Sequence, residues 1–458
     1  MQQWIYIILV IILSIVFGVP VMALAYMKLR HRFWSKQPVF HYYNLWYWLF
    51  PPGIINKDVP KMNEYVNIVN VKTRDILELC DDECINIVEF IANHYLRTKT
   101  TLYVPQKKHI MSYFQNNNHA SYVSVYSRPK LSYDNIVSDK KIPLSKLSVD
   151  NEYMGVITAK SLNITFKNKP TFSTYYIDNL CVHDLHRKKG IAQNLIQTIY
   201  YELRNRNDKI NTCLFKREGE MTAIVPFTTF ITKGYEVNKL LNYVPSRLHA
   251  SYTCIEITKR LMHSVVDFIY KHSMLFDCVI APDIANIITL VTSDIIDIRA
   301  IMYNGEIVAI HIFRDAAVEY KDANANRMPG ANANRMPGAN ATGNANATGN
   351  ANATGNANAT GKANATGNAP LLCKTIDCIA SLVTPEHNNI LLIGFIDALR
   401  NSSKKYHAKY VLIESTSHNS IILNNLSGVN TFLKSPTAFF FYNYVCRSIK
   451  PNKLLILY

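Results

Sequence analysis

Residues 175–196 constrain the fold most, because they change from a strand to a helix around a short basic loop. The stretch begins with β-prone residues and continues with apolar residues that recur at helical three- and four-residue spacing. The loop between them reads Arg-Lys-Lys-Gly-Ile-Ala and starts at Arg187. A helix that begins there presents unpaired N–H groups and the positive end of its dipole, which suit a phosphate. The segment therefore predicts a phosphate cradle for a nucleotide-like cofactor.

The side chains of this loop fit the same interpretation. Arg187, Lys188 and Lys189 add positive charge. Gly190 removes the side chain where a pyrophosphate must approach the backbone, and Ala192 keeps the first helical turn narrow. The pattern Arg-x-x-Gly-x-Ala after a strand resembles the acyl-CoA pyrophosphate loop of the GNAT acyltransferase superfamily.

The residues ahead of the loop narrow this resemblance. Leu-Cys-Val-His, which starts at Leu180, resembles N-myristoyltransferase, a two-lobed branch that transfers a long acyl chain to an N-terminal glycine. The resemblance implies an acyl-CoA site that includes Cys181, Val182, Arg187, Lys188, Lys189, Gly190, Ile191 and Ala192. It also implies that a β-bulge turns the N–H groups of Asn179 and Leu180 inward to polarise the thioester carbonyl.

Two reactive side chains in this stretch have plainer explanations. His183 could be a general base, but a lone histidine at a strand end is more often a hydrogen-bonded structural residue. Cys181 could be a nucleophile, but the motif gives it no adjacent base. The family transfers the acyl group directly, so we expect a packed thiol.

Composition limits the possible partners. The chain has 458 residues, with 49 Lys and Arg against 33 Asp and Glu, which gives a net charge of +16. This charge fits an anionic membrane surface or a polyanionic cofactor, and no zinc-finger, RNP or helix-turn-helix signature supports nucleic acid. The nine cysteines are scattered and lack zinc-type spacing, so we expect a reduced protein without a metal.

The N-terminus predicts a membrane anchor. No charged residue occurs from Trp4 to Met27, which is long enough to cross a bilayer, and basic residues follow from Lys28. The positive-inside rule then places the rest of the chain in the cytosol as a single-pass protein. The alternative is a signal peptide cleaved after the small residues at 23–25, although no Lys or Arg precedes the apolar run.

The segment after the anchor reads Phe-Trp-Ser-Lys-Gln-Pro-Val from Phe33. It resembles the N-terminal arm of N-myristoyltransferases, and the resemblance implies that Phe33 and Trp34 line the CoA site. The alternative is an interfacial aromatic belt, which the aromatic residues at 46–48 would extend.

The second half of the chain repeats helix and strand patterns from about residue 251, with a hairpin signal at Asn304-Gly305. N-Myristoyltransferases have a second, CoA-free GNAT-like lobe here. Thr222 resembles a residue that borders the family's peptide site, but Ile224 replaces the usual glycine. Residues 323–369 contain only repeats rich in Ala, Asn, Thr and Gly, which predict a disordered insertion.

The C-terminal sequence offers two explanations. An aromatic strand with the motif Tyr-Asn-Tyr is followed by a short apolar strand that ends at Tyr458. This could be simply a packed last strand. It also resembles N-myristoyltransferases, in which the terminal carboxylate accepts the proton of the substrate's glycine ammonium, so we expect Tyr458 to supply the base. Lys434 occupies the place of a family aspartate that contacts the peptide, which alters the expected peptide preference.

These features together predict an α/β (α+β) protein with two tandem GNAT-like lobes, whose mixed, strongly twisted sheets are flanked by helices. The predicted parts are an anchor (1–27), an arm (28–60), an acyl-CoA lobe (61–248) and a peptide lobe (249–458). The predicted function is transfer of myristate from myristoyl-CoA to proteins with an N-terminal glycine. The alternatives are an inactive acyl-CoA-binding scaffold at a membrane and a GNAT N-acetyltransferase.

Overall fold

The computed structural model describes most of the chain. The described residues are 31–96, 98, 100–131, 149–219, 224–244, 247–321 and 372–458, together with scattered residues between 3 and 29. Thr222 and the repeat segment 323–369 lie outside the described residues. Much of the predicted anchor also lies outside them. Within the part of the chain that is described, no helix is long and apolar enough to cross a membrane, so the predicted span gains no support.

Helices and strands are interspersed along the described part of the chain. The helices are α1 (Arg32–Ser35), α2 (Leu45–Leu49), α3 (Asp81–His94), α4 (Lys107–Met111), α5 (Ile191–Arg206), α6 (Val237–Tyr243), α7 (Met262–His272), α8 (Ile284–Thr292), α9 (Leu391–Tyr406) and α10 (Asn419–Asn425). The strands are β1 (Gly53–Ile54), β2 (Val71–Asp75), β3 (Thr101–Tyr103), β4 (Tyr122–Leu131), β5 (Val149–Phe166), β6 (Phe172–Val182), β7 (Cys213–Glu218), β8 (Thr228–Glu236), β9 (Tyr252–Glu256), β10 (Cys278–Ala281), β11 (Ile296–Tyr303), β12 (Glu306–Lys321), β13 (Leu372–Val383), β14 (Tyr410–Glu414), β15 (Leu433–Tyr442), β16 (Tyr444–Val445) and β17 (Leu454–Ile456).

One mixed sheet runs through both halves of the chain. Its order is β17-β10-β5-β6-β7-β15-β8-β14-β13-β12-β11-β9, with β2, β3 and β4 joined at its sides. The halves exchange strands: β10 and β15, from the second half, pair with β5 and β7 of the first, and β8 pairs with β14. Hydrogen bonding therefore crosses the predicted lobe boundary near residue 248, because sheet pairing does not follow chain order.

The strand β6 and helix α5 form the predicted strand–loop–helix unit. Helix α5 packs against β5, where Gly155 allows a very close approach. A Cβ atom added to Gly155 would lie 2.8 Å from Leu195 Cδ1 and 3.2 Å from the carbonyl oxygen of Cys181. The glycine therefore sets the distance between the helix that carries the loop and the sheet that carries the predicted bulge.

Two predicted elements were wrong in detail. The sequence pattern at residues 163–166 predicts the start of a new strand, but β5 continues through Phe166 and pairs with β6 from Gly155 to Ile164. The spacing of Ile255, Leu261 and Val265 predicts one helix, but Ile255 lies in strand β9 and α7 begins at Met262. The spacing of apolar residues predicts a helix over 81–97, and it is present as α3, which ends at His94; the predicted hairpin at Asn304-Gly305 is also present.

The end of the chain returns to the first half of the protein. Strand β17 pairs in parallel with β10, which pairs with β5, and Leu457 N–H donates to the carbonyl oxygen of Ile280. Tyr458 is 5% exposed, and its ring packs against that of Tyr176 with centroids 4.7 Å apart. Tyr176 lies on β6, so the sheet brings residues 458 and 176 together across 282 positions of sequence (458 − 176).

Candidate functional site

The N-terminus of α5 has the geometry of an anion-binding turn. Gly190 caps the helix with φ +80°, a left-handed conformation that favours glycine. Apart from its chain neighbours, the nearest described atom to the position of a Cβ at Gly190 is Gln193 Oε1 at 3.8 Å, so no described side chain fills the space beside this glycine. The N–H groups of the first helical turn therefore face a site that a phosphate can enter.

The basic residues of the loop have different roles. Arg187 donates to Asp184 Oδ1 at 2.6 Å and to the carbonyl oxygens of Val182 and His94 at 3.2 Å. Its guanidinium group therefore ties the loop to β6 and α3, and Asp184 offsets part of its charge. Lys188 and Lys189 are exposed, so they can bring positive charge to a bound phosphate.

Strand β6 contains the predicted bulge. Its pairing with β5 runs from Thr158↔Asp178 to Val156↔Cys181, so one extra residue lies on the β6 side. Asn179 has φ +52°, and its N–H donates to Asp178 Oδ1 at 2.8 Å. A carboxylate oxygen thus occupies the position in front of the first of the two predicted oxyanion donors.

The side chain of Asn179 holds the bulge in place. Its Nδ2 donates to Thr158 Oγ1 at 3.1 Å, and that hydroxyl donates to the carbonyl oxygen of Asp178 at 3.1 Å. Leu180 packs against an apolar cluster formed by β-sheet residues and α5. The family resemblance implied the bulge, but nothing in the sequence indicated that Asp178 would bind the Asn179 amide.

The N-terminal arm packs beside the same cluster. Phe33 is buried against Trp34 and Tyr65, with ring centroids 5.2 and 5.0 Å apart. The Trp34 ring stacks on Phe215 of β7 with centroids 6.0 Å apart and belongs to the same apolar cluster as Leu180, Val182 and Ile191. The structure therefore brings together Phe33, Trp34 and the predicted acyl-CoA residues of β6 and α5.

A buried asparagine fixes the arm to the sheet. Asn443 has φ +62° and is 0% exposed. Its N–H donates to the carbonyl oxygen of Pro38, its side chain accepts from the Asn56 N–H at 2.7 Å, and it donates to the carbonyl oxygen of Asn211 at 2.8 Å. The Tyr-Asn motif noted in the sequence thus has a structural role in holding the arm.

Cys181 and His183 have the roles expected of packed and structural residues. Burial raises the pKa of the Cys181 thiol to about 12, which removes the thiolate that a nucleophile needs. His183 Nδ1 accepts from the Leu185 N–H at 3.2 Å, and its ring packs on His94 with centroids 4.3 Å apart. Because Nδ1 accepts this hydrogen bond, the imidazole ring holds the start of the loop in place.

A polar group that the sequence did not predict lies between the bulge and Tyr458. Asp178 accepts a hydrogen bond from the Tyr95 hydroxyl at 3.2 Å. Lys160 is only 5% exposed, and its Nζ lies 3.8 Å from the ring centroid of Tyr113 and 4.9 Å from that of Tyr458. Two sequence features could have indicated this polar group. They are a lysine within an apolar strand pattern and an aspartate next to the bulge.

Two partly buried ion pairs border this group. Arg314 on β12 contacts Asp377 on β13 at 2.6 Å, and Lys216 on β7 contacts Glu414 on β14 at 2.6 Å. Burial acts to lower the pKa of Arg314, but Asp377 raises it well above its usual value. Both pairs join strands from different parts of the chain, so they stabilise the junction around the candidate site.

The comparisons with known proteins give one clear result. The sequence matches no protein-family model, and no curated protein matches it. Solved structures of Saccharomyces cerevisiae N-myristoyltransferase with bound myristoyl-CoA are similar in fold, with TM-scores of 0.59 and 0.60 at 12% sequence identity. Each match covers 92% of this chain, and they cover 94% and 89% of the yeast chains. The chain therefore has the fold of N-myristoyltransferase.

Proposed function

We propose that this protein is an acyltransferase that transfers myristate from myristoyl-CoA to the N-terminal glycine of protein substrates. The bulge at Asn179 is the observation that carries the proposal. It lies directly ahead of an α5 N-terminus that is open in front of Gly190, within the fold of a myristoyl-CoA-dependent enzyme. A polarised carbonyl and a bound pyrophosphate require these two features on adjoining elements.

The residues that would hold myristoyl-CoA fit its two chemical parts. The first amides of α5, with Lys188 and Lys189, suit the phosphates. The arm residues Phe33 and Trp34 and the apolar cluster beside the bulge suit the rest of the molecule. The thioester carbonyl oxygen would replace Asp178 Oδ1 at the Asn179 amide, which requires the carboxylate to rotate away.

The mechanism proposed from these positions is direct attack by the substrate amine. The Asn179 and Leu180 amides would stabilise the oxyanion, and one such donor is commonly worth about 3 kcal/mol of transition-state energy. The resemblance assigns the base to the carboxylate of Tyr458. The side chain of Tyr458 packs on Tyr176, and the role of the Tyr458 carboxylate as the base stays a prediction.

Acyl transfer can be tested with the full chain, myristoyl-CoA and a peptide that begins Gly-Ala-x-x-Ser. We expect mass spectrometry to detect an N-myristoylated product, and no product from the same peptide with an acetylated amine. We expect acetyl-CoA to be a poorer donor than myristoyl-CoA. The opposite preference would indicate an N-acetyltransferase. Tight myristoyl-CoA binding without product would refute the proposed acyl transfer. It would favour the alternative, an inactive acyl-CoA-binding protein.

We further propose that the uncharged stretch from Trp4 to Met27 anchors the protein in a membrane, with the remainder in the cytosol. The full chain is expected to stay in the membrane fraction after alkaline carbonate extraction. A chain without residues 1–27 is expected to be released by the same treatment. Extraction of the full chain by carbonate would contradict the anchor, whatever the outcome of the transfer assay.

A further inference from the structure

Sequence patterns allow an interfacial position for two aromatic segments of the arm, and the structure separates them. Phe33 is buried and Trp34 stacks on Phe215, so the first segment packs inside the protein. The second segment is helix α2 with the residue that follows it. Four of its large apolar side chains are between 59% and 74% exposed, namely Leu45, Trp46, Leu49 and Phe50.

These four side chains form one surface, which we call the α2 face. Leu45 and Leu49 are four residues apart, as are Trp46 and Phe50, so each pair lies on the same side of the helix. The rings of Trp46 and Phe50 contact each other with centroids 4.7 Å apart. No residue of α2 is buried. Because a contiguous exposed apolar surface marks a site of interaction, the α2 face requires a partner.

The α2 face is held outward by contacts on the other side of the helix. The buried ring of Phe40 packs against Tyr47 and Trp48, with centroids 6.0 and 5.0 Å apart. The carbonyl oxygen of Phe40 accepts from the Val225 N–H at 2.6 Å, and β1, which follows α2, pairs with β16. Both flanks of the helix are therefore tied to other parts of the fold, so the helix cannot turn its exposed side chains inward.

The charge of the surrounding sequence indicates what the partner is. Residues 1–57 contain five Lys and Arg and no Asp or Glu. Glu64 lies 2.7 Å from Lys36 and 3.6 Å from Arg32, and it offsets only part of this charge. Anionic headgroups attract such a segment, while Trp, Leu and Phe side chains enter the boundary between headgroups and acyl chains. Two copies of so basic a segment would repel each other, which disfavours self-association.

The position of α2 in the chain fits the same partner. Leu45 follows Met27, the end of the uncharged stretch, by 18 residues (45 − 27). A fully extended segment of this length spans at most about 60 Å, and helix α1 shortens it further. The α2 face therefore lies within reach of the membrane surface at which the proposed anchor would end.

We propose that the α2 face inserts into the headgroup region of an anionic lipid bilayer. This inference does not depend on acyl transfer, and it adds a second membrane contact to the proposed anchor. An anchor alone leaves the folded part of the protein free to rotate, whereas two contacts determine which side of it faces the lipid. Because the same arm carries Phe33 and Trp34, the contact also holds the proposed acyl-CoA site at a fixed distance from the membrane.

The test is tryptophan quenching by lipids with brominated acyl chains, which quench only the tryptophans that they contact. The full chain with Trp4→Phe is reconstituted in vesicles of phosphatidylcholine and phosphatidylglycerol, with and without bromine. We expect the brominated lipid to quench Trp46 and Trp48 and to spare Trp34, which stacks on Phe215. Replacement of Trp46 and Trp48 by Phe keeps the face apolar and removes its reporters, so it should abolish the quenching.

Charged variants separate insertion from simple proximity. Leu45→Glu with Leu49→Glu is expected to abolish the quenching, because the bilayer excludes carboxylates. Both side chains are exposed, so circular dichroism and myristoyl-CoA binding should stay unchanged. Tyr270→Glu with Met274→Glu is the matched control. These exposed residues are also four apart, at the end of α7, and their replacement changes the charge equally but should leave the quenching intact.

The outcomes distinguish this inference from the two earlier proposals. Trp46 and Trp48 that stay unquenched in anionic vesicles would overturn it, and a dimer in size-exclusion chromatography would then assign the α2 face to a second copy. Equal quenching in vesicles of phosphatidylcholine alone would overturn the preference for anionic lipid. Release of the full chain by carbonate with quenching retained would remove the anchor and support a separate contact through α2.

Discussion

Replacement of Asp377 by alanine is expected to lower the free energy of unfolding by about 3 kcal/mol, since it removes the carboxylate from a guanidinium group whose side chain is only 22% exposed. Asp377 is 8% exposed and contacts Arg314 at 2.6 Å. Burial acts to lower the pKa of Arg314, and Asp377 is the largest of the contributions that raise it well above its usual value. Urea denaturation followed by circular dichroism measures the change.

An exposed ion pair of almost the same length provides the control. Lys36 and Glu64 lie 2.7 Å apart with side chains 51% and 47% exposed. Water solvates both partners, so Glu64→Ala is expected to leave the denaturation midpoint unchanged. Equal effects of Asp377→Ala and Glu64→Ala would contradict the importance of burial. Asp377→Asn should have an intermediate effect, because it keeps a hydrogen-bond acceptor and removes the charge.

Gly190→Ala is expected to weaken myristoyl-CoA binding by at least about tenfold. Gly190 has φ +80°, and a left-handed conformation costs an alanine about 1–2 kcal/mol. The loop can relieve this strain only by moving the first amides of α5. Loss of one hydrogen bond to a charged phosphate costs about 1.5–3 kcal/mol, which corresponds to a tenfold or larger change in Kd.

Gly305 offers a matched variant for this experiment. It lies in the turn between β11 and β12 with φ +83°, and no atom lies within 4 Å of the position of its Cβ. Gly305→Ala should therefore cause similar backbone strain without any effect on ligand binding. Isothermal titration calorimetry with myristoyl-CoA compares the two variants. The same Kd for both variants would mean that Gly190 contributes only to the fold. The phosphates of myristoyl-CoA would then not bind at the N-terminus of α5.

Local sequence features predicted the parts of the site that neighbouring residues build. The strand β6 and helix α5 follow one another in the chain, so their pattern of apolar, basic and glycine residues was sufficient, whereas the bulge at Asn179 was an expectation from the family resemblance. Gly190 is an example. Its left-handed conformation and the start of helix α5 depend on residues that are close to it in the sequence. Cys181 was also predicted correctly as a packed thiol, since it lies in an apolar strand.

Side-chain partners from distant positions were not predictable in this way. The break assumed before residue 163 and the helix assumed at Ile255 failed because strand pairing overrode the local pattern. The bond between Asp178 and the Asn179 amide depends on the geometry of the bulge, which periodicity does not describe. Likewise, the exchange of β8 and β15 between the halves has no local signal.

The sequence by itself determined the strand–loop–helix unit, its positive charge and its resemblance to an acyl-CoA loop, because short-range spacing and residue type encode all three. Only the tertiary structure decided what faces that unit. Strand β5 places Lys160 beside Asp178, β17 brings Tyr458 to Tyr176, and β12 contributes Arg314. These groups are far apart in the chain, and their burial and mutual charges arise only once the sheet has formed.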